Sequence, residues 1–311
     1  MPSENLPVAV IGAGPTGLAA AAHLIGHGIQ SAIFERGENA GSAVAAWGHV
    51  RVFTPWRYIV DPAANKLLEA VGWTAPDPEE LPLGREIVAR YLAPLAAHPL
   101  VADGLRTGAT VTSVTRAGLS KIDTVGREAA PFAVNWRDAA GVPNRTLARA
   151  VIDASGTWHR PNPIGADGRP VPGEAEASDR IAYGIPDVLG ADRPSYAGAR
   201  VLVIGAGHSA ANVLLDLARL AREALGTRTF WARRRASLAR LVGGGAGDEL
   251  AARGQLGLAA ERLVGNGQVE TLAPFAVERI ERMGGALSVS GIEDGRSVTL
   301  EVDRIVVATG F

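Results

Sequence analysis

At 311 residues the chain is long enough for two domains of ordinary size, each with a buried core of its own. A hydrophobic fraction of 47%, a charged fraction of 20% and charges of both signs exclude a disordered or fibrous protein, and a formal net charge of -1 gives no electrostatic reason to expect nucleic acid or an anionic membrane as a partner. The chain has no cysteine, which excludes disulfides, thiolate metal sites and any thiol redox relay. No apolar run reaches membrane-spanning length, and residues 1–7 lack the basic and apolar regions of a secretion signal, so a cytoplasmic protein is expected.

Val8-Ala9-Val10-Ile11 is a short apolar run that meets glycine abruptly, as a fully buried parallel strand does. Residues 15–26 are rich in Ala and Leu without a breaker, which predicts a helix, and Gly28 punctuates it before a second strand over 31–35. A less regular stretch follows to about Pro82, with helices expected over 61–71 and 85–97. Three β-type runs at 109–114, 132–136 and 150–154 predict an antiparallel meander, and the Pro- and Gly-rich passage 160–173 has the composition of a linker. Beyond it the pattern restarts: a buried strand at 201–204, glycines, an Ala/Leu helix over 209–225, a strand at 229–231, further short β runs, and a last strand beginning at Arg304. The order of the first half recurs in the second, so the expected fold is α/β with two Rossmann-like, three-layer ββα dinucleotide-binding domains.

Gly12-Ala13-Gly14-Pro15-Thr16-Gly17 matches the dinucleotide fingerprint directly after a strand and at the mouth of a helix. The first glycine turns the chain, the second admits a pyrophosphate, the third lets helix and strand pack, and the helix start offers N–H groups to the phosphates. Glu35 closes the next strand, placed to accept hydrogen bonds from a ribose, with Arg36 beside it. The second fingerprint, Gly205-Ala206-Gly207-His208-Ser209-Ala210, has alanine at the third glycine position, and the strand after it ends in Arg233-Arg234-Arg235 where the first ends in Glu35. A guanidinium holds a 2′-phosphate that a carboxylate would repel, so Arg233 and Arg234 point to NADPH; a solvated basic turn is the other reading. His208 has no metal-binding partners in the sequence, and no metal site is expected.

With both fingerprints present, the chain resembles the two-dinucleotide-binding flavoproteins, and among them the flavin-containing monooxygenases more than the thioredoxin reductases, whose redox-active cysteine pair is missing. Asp153-Ala154-Ser155-Gly156-Thr157-Trp158 and Val307-Ala308-Thr309-Gly310-Phe311 look like the two crossover strands of that superfamily, and 161–173 like its proline-rich connection between domains. The resemblance implies FAD in the first half, with Ser155 and Gly156 as cofactor contacts, and a nicotinamide cofactor in the second, with Thr309 and Gly310 as contacts. The nicotinamide domain would be inserted into the FAD domain, giving FAD-binding residues 1–165, NAD(P)H-binding residues 166–302 and a return strand over 303–311. The family's Gly-Gly-x-Trp element is approximated by 41–47, with Ser42 for the second glycine and Trp47 late. In its Phe-x-Gly-x-x-x-His signature, Tyr183 and Gly184 are present but Val188 stands at the histidine position. Relatives continue past the point where this chain ends, into a Gly-Asp element that contacts the flavin, so either part of the FAD domain is missing or that wall is supplied otherwise.

By the same resemblance, Trp47 to Trp56 would pass near the flavin ring, and Arg51 is the candidate catalytic residue, a cation beside developing negative charge; an aromatic cluster under a long loop with Arg51 on the surface is equally compatible. Gly243, Gly244, Gly245 and Gly247 form either a lid on the coenzyme or a plain surface loop. The expected activity is FAD- and NADPH-dependent oxidoreduction, with monooxygenation of a small organic substrate leading. A flavin reductase or dehydrogenase without oxygenation, and a non-catalytic NADP-binding module, are the alternatives. The sequence carries no signal for an oligomeric state.

Overall fold

A computed structural model describes residues 5–311, so the first four positions of the segment read above as lacking a secretion signal lie outside the described residues. Contacts divide the chain into two units, Met1–Gly156 and Thr157–Phe311.

The strands of the first unit are β1 (Val8–Ile11), β2 (Ser31–Phe34), β3 (Leu105–Arg106), β4 (Thr110–Arg116), β5 (Phe132–Arg137), β6 (Pro143–Ala148) and β7 (Ala150–Asp153). A parallel sheet runs in the order β3-β2-β1-β7, with Val10 opposite Ile33 on one side and Ile152 on the other. Val10 and Ile33 pack against Leu18, Ala21 and Ala22 of α1 (Pro15–Gly26), while Ala9, Ala32 and Phe34 pack against Val134 and Ala148 of the antiparallel β4-β5-β6 sheet. Side chains alternate across a strand, and here both faces are covered, which is why 8–11 reads as an unbroken apolar run.

The run at 150–154, expected as part of the meander, is instead β7, paired in parallel with β1. Its place in the meander belongs to β6, whose Pro143, Asn144 and Arg145 hide it from a hydrophobic pattern; as an edge strand it tolerates a proline. The helix expected over 61–71 is α2 (Pro62–Glu69), and Asp61 caps it by accepting the Ala63 and Ala64 N–H groups at 2.9 and 3.1 Å. The expected 85–97 helix is present as Gly84–Ile87, a π turn Val88–Leu92 and Ala93–Ala97. Pro94 lacks the N–H that an α-helix would give to the Arg90 carbonyl, and the Trp73 indole donates to that oxygen instead, at 2.9 Å.

The second unit repeats this plan with β8 (Ile181–Tyr183), β9 (Arg200–Ile204), β10 (Arg228–Ala232), β11 (Glu270–Leu272), β12 (Phe275–Met283), β13 (Ala286–Glu293), β14 (Arg296–Val302) and β15 (Arg304–Val307). The parallel sheet has the order β11-β10-β9-β15-β8. Val201, Val203 and Trp231 pack with Leu214 and Leu217 of α3 (His208–Glu223), and Leu202, Phe230 and Ile305 pack with Phe275, Leu287 and Val289 of the antiparallel β12-β13-β14 sheet.

Residues 304–307, expected in a strand returning to the first domain, are hydrogen-bonded between β9 and β8 of the second sheet. The entry to β15 is fixed by Asp303, which takes the Arg200 guanidinium on both oxygens, at 2.8 and 3.1 Å. The passage 160–173, expected as a linker, buries Ile164 and Val171 in the second unit's core. The glycine-rich 243–247 segment is packed against α4 (Ala251–Gly265). A Cβ on Gly254 would stand 1.9 Å from the Gly245 carbonyl oxygen, and one on Gly257 2.4 Å from that of Leu241. The Asp248 carboxylate also takes the Arg253 guanidinium, which holds its carboxyl below the usual range. Among the described residues no helix is long and apolar enough to cross a membrane.

Two substitutions in α4 test this packing. Gly254→Ala pushes a methyl into a backbone oxygen and should cost about 1–3 kcal/mol, whereas Gly265→Ala, at an open position of the same helix, should gain up to about 1 kcal/mol. Chemical denaturation of both variants checks the contrast; equal effects would contradict it.

Candidate functional site

The two fingerprints fold into the same cradle. Gly12 turns the chain with φ +99° and Gly205 with φ +135°, conformations that glycine alone adopts at little cost. A Cβ on Gly12 would lie 2.5 Å from the Ala154 carbonyl oxygen, and one on Gly205 2.3 Å from that of Ala308. The backbone bonds repeat as well: Gly12 N–H donates to Phe34 O at 2.7 Å and Gly205 N–H to Ala232 O at 3.1 Å, while Ala154 N–H donates to Ile11 O at 2.9 Å and Ala308 N–H to Ile204 O at 2.7 Å.

The second glycine of each fingerprint is built differently. Nothing lies within 4 Å of where a Cβ on Gly14 or Gly207 would stand, and no side chain caps the start of α1 or α3. An open backbone and an uncapped helix start are what a diphosphate needs, so Gly14, Pro15, Thr16 and Gly17, and likewise Gly207 and Ser209, fit phosphate-bearing cofactors. The third positions diverge. A Cβ on Gly17 would meet the Gly12 carbonyl oxygen at 1.9 Å, whereas Ala210 is fully buried without such crowding and the Gly205 carbonyl accepts the Trp231 indole N–H at 2.7 Å.

Glu35 follows β2 and is buried, its Oε2 on the Ala13 N–H and its Oε1 on the Gly37 N–H, both at 2.8 Å. The carboxylate thus braces the first fingerprint loop with one bond to each oxygen, and each oxygen has a further lone pair. Arg36 next to it is exposed. Ser155 gives both its N–H and its hydroxyl to Asp153, which lowers that carboxyl's pKa, and Gly156 is exposed beyond it.

Arg51 is exposed, bridged to Leu83, with its guanidinium on the Leu81 carbonyl. These contacts tie Arg51 to the 81–83 stretch. Trp47 packs on Gly84, whose Cβ would come within 2.7 Å of the ring, and joins the helix-side core. The polar atoms left over in this segment are others: His49 Nε2 and Trp56 Nε1 are buried without a hydrogen-bond partner. A composition reading ranks Arg51 first on charge and has no means of finding an orphaned donor, which only packing creates.

In the second unit a cavity of about 1250 Å³ opens beside the second cradle. It is lined by Gly205, Gly207, His208 and Ser209, by the 162–168 segment, by Arg234 and Arg235, and by Thr309 and Gly310. Thr309 donates its hydroxyl to the Asn162 carbonyl at 2.8 Å, and Asn162 N–H donates to Gly310 O at 2.9 Å. Arg233, singled out from sequence as a phosphate ligand, is turned inward. It is buried, lies over the Trp231 ring at 4.5 Å and donates to the Ala236 carbonyl at 2.8 Å, so it shapes the turn that presents Arg234 and Arg235. Its burial lowers its pKa. Burial and the charge of Arg253 push the His208 imidazole pKa down, against the pull of Asp248.

Alanine at either open glycine separates fold from ligand. Gly14→Ala and Gly207→Ala meet no protein atom and should leave the melting temperature within a few degrees, yet the new methyl stands where a pyrophosphate would approach. Flavin absorbance of the purified Gly14→Ala protein should be largely lost, and Gly207→Ala should weaken coenzyme binding about tenfold or more by calorimetry. Undiminished binding in both would refute the cradle assignment.

No curated protein matches the chain in sequence. Solved structures share its fold. Bacillithiol disulfide reductase from Bacillus cereus superposes with a TM-score of 0.71 at 21% identity, over 98% of this chain and 78% of that one. The cadaverine monooxygenase of desferrioxamine biosynthesis from Erwinia amylovora, solved with FAD bound, gives 0.69 at 14% identity over 98% and 78%. Ornithine hydroxylase from Pseudomonas aeruginosa gives 0.63 at 15% identity over 98% and 82%. The family model described as pyridine nucleotide-disulphide oxidoreductase matches residues 9–311. Nearly the whole chain being covered by that model, and both of its nucleotide cradles being intact, the chain belongs to the pyridine nucleotide-disulphide oxidoreductase family and is an FAD- and NAD(P)H-dependent oxidoreductase.

Proposed function

We propose that the chain oxidises NADPH through FAD and spends the electrons on oxygenating a small organic substrate. The observation that supports the choice of NADPH is the pair of exposed guanidinium groups, Arg234 and Arg235, lining the cavity beside the second cradle. A 2′-phosphate there gains charge-assisted hydrogen bonds that NADH cannot make. FAD, when bound, supplies the hydride acceptor and the route of electrons to O2. The chain's own part is to hold and orient: the starts of α1 and α3 receive the diphosphates, Glu35 fixes the first loop and is left with lone pairs for a ribose, and Arg233 sets the turn carrying Arg234 and Arg235.

The absence of cysteine supports oxygenation over a thiol relay. A disulfide reductase that hands electrons through its own cysteine pair needs two thiols, and this sequence has none. One observation favours a second reading, an NADPH-driven reductase of a small acceptor: Val188 is buried where the monooxygenase signature has histidine.

Anaerobic addition of NADPH to the flavin-loaded protein should bleach the flavin absorbance; a protein that holds no flavin would end both readings. In air, one of cadaverine, ornithine and other small amines should yield a hydroxylated product by mass spectrometry. NADPH oxidation driven only by a small disulfide or quinone would select the reductase. For the coenzyme, Arg235→Ala, which leaves the Arg234–Ala166 bond in place, should weaken NADPH about 10-fold and NADH little, from the loss of hydrogen bonds to a charged group. Arg233→Ala should lower stability and weaken both coenzymes alike. Equal losses for NADPH and NADH in Arg235→Ala would defeat the assignment.

A further inference from the structure

Residues 162–168 have no sheet or helix bonds of their own, yet they form one wall of the cavity beside the second cradle. Irregular backbone holds a fixed position only if something else takes its hydrogen bonds. One end is stapled to Thr309 and Gly310 through Asn162, and the Arg234 guanidinium donates to the Ala166 carbonyl at 3.0 Å. Between them stands Glu174. The residue is 4% exposed, and its carboxylate forms no ion pair among the described residues. Oε1 accepts the Ile164 N–H at 3.2 Å and the Tyr183 hydroxyl in a short hydrogen bond, and Oε2 accepts the Val171 N–H at 2.8 Å.

One side chain thus bonds both ends of the 164–171 loop and ties the loop to β8. The residue before it, Gly173, lies so close to β12 that a Cβ would stand 1.7 Å from the Ile280 carbonyl oxygen, and Ile280 N–H donates to Pro172 O at 2.9 Å, so Glu174 is itself held in place. Burying a carboxylate against neutral donors is costly unless every lone pair in use is well directed. Only an acceptor-only group satisfies three donors at once; an amide in its place turns an N–H toward an N–H. Burial and the Glu174 carboxylate push the Tyr183 phenol above its ordinary range, which keeps it a donor.

We infer that Glu174 is a positioning residue for the pyridine dinucleotide: it clasps the 164–171 loop so that the 162–168 wall stands at the distance from the second cradle that the coenzyme requires. This rests on the reading of the cavity as the NAD(P)H site. Glu174 does not line the cavity and acts through the Ile164 and Val171 amides, and it has the three donors above as its partners.

The test compares the flavin-loaded protein with its Glu174→Gln, Glu174→Ala and Tyr183→Phe variants. Hydrogen exchange at the Ile164 and Val171 amides should accelerate in both Glu174 variants and slow again at saturating NADPH. Calorimetric Kd and KM for NADPH should rise about tenfold in Glu174→Gln, with kcat nearly unchanged, and less in Tyr183→Phe, which loses one of the three donors. Should Glu174→Ala fail to fold, the near-isosteric Gln variant and Tyr183→Phe decide. Faster exchange with unchanged Kd, unchanged exchange, or a fall in kcat at unaltered KM would each overturn the clasp while leaving the coenzyme site standing. A wild-type protein that binds neither NADPH nor NADH would overturn the cavity reading, and the clasp with it.

Discussion

The structure depends on one close approach, made twice. At Gly12 and again at Gly205 the chain leaves a buried strand so near the carbonyl of a neighbouring strand, Ala154 or Ala308, that no side chain fits. That contact breaks the strand, starts the helix at a fixed angle and leaves the helix N–H groups facing open space. Everything the site can do with a phosphate follows from the direction those groups then face.

Around the two cradles the sequence spends its polar groups differently. In the first unit Glu35 turns its carboxylate onto the fingerprint loop itself, so the same group that stiffens the loop is the one with lone pairs left for a ligand. In the second unit the corresponding strand end carries three arginines with separate duties. Arg233 is desolvated against Trp231 and holds the turn; Arg234 and Arg235 remain at the cavity. Arg233 packs its guanidinium on the Trp231 ring and the Ala236 carbonyl, away from the cavity, whereas Arg234, with one bond to the Ala166 carbonyl, and Arg235 line it and keep further N–H groups for a phosphate.

The irregular segments follow the same logic. The Pro- and Gly-rich 160–173 passage is tied down by Asn162, Glu174 and Arg234, and the glycines near 245 are seated on α4 by Gly254 and Gly257. Low-propensity sequence is no measure of mobility when side chains elsewhere take its backbone hydrogen bonds.

By itself the sequence determined the α/β fold, the two ββα units and the position of both cradles. These rest on local patterns, namely a buried apolar strand, glycines at fixed offsets and an Ala/Leu helix, whose meaning is carried within about thirty residues. Tertiary structure alone decided that 150–153 joins β1 rather than the meander, that 304–307 belongs to the second sheet, that Arg51 meets the Leu81 carbonyl, and that Arg234 and Arg235 rather than Arg233 line the cavity. It also revealed Glu174, a glutamate unremarkable in sequence. Each of these is settled by hydrogen bonds and burial between residues far apart in the chain, and no local period or motif encodes which distant carbonyl, ring or amide a side chain will meet.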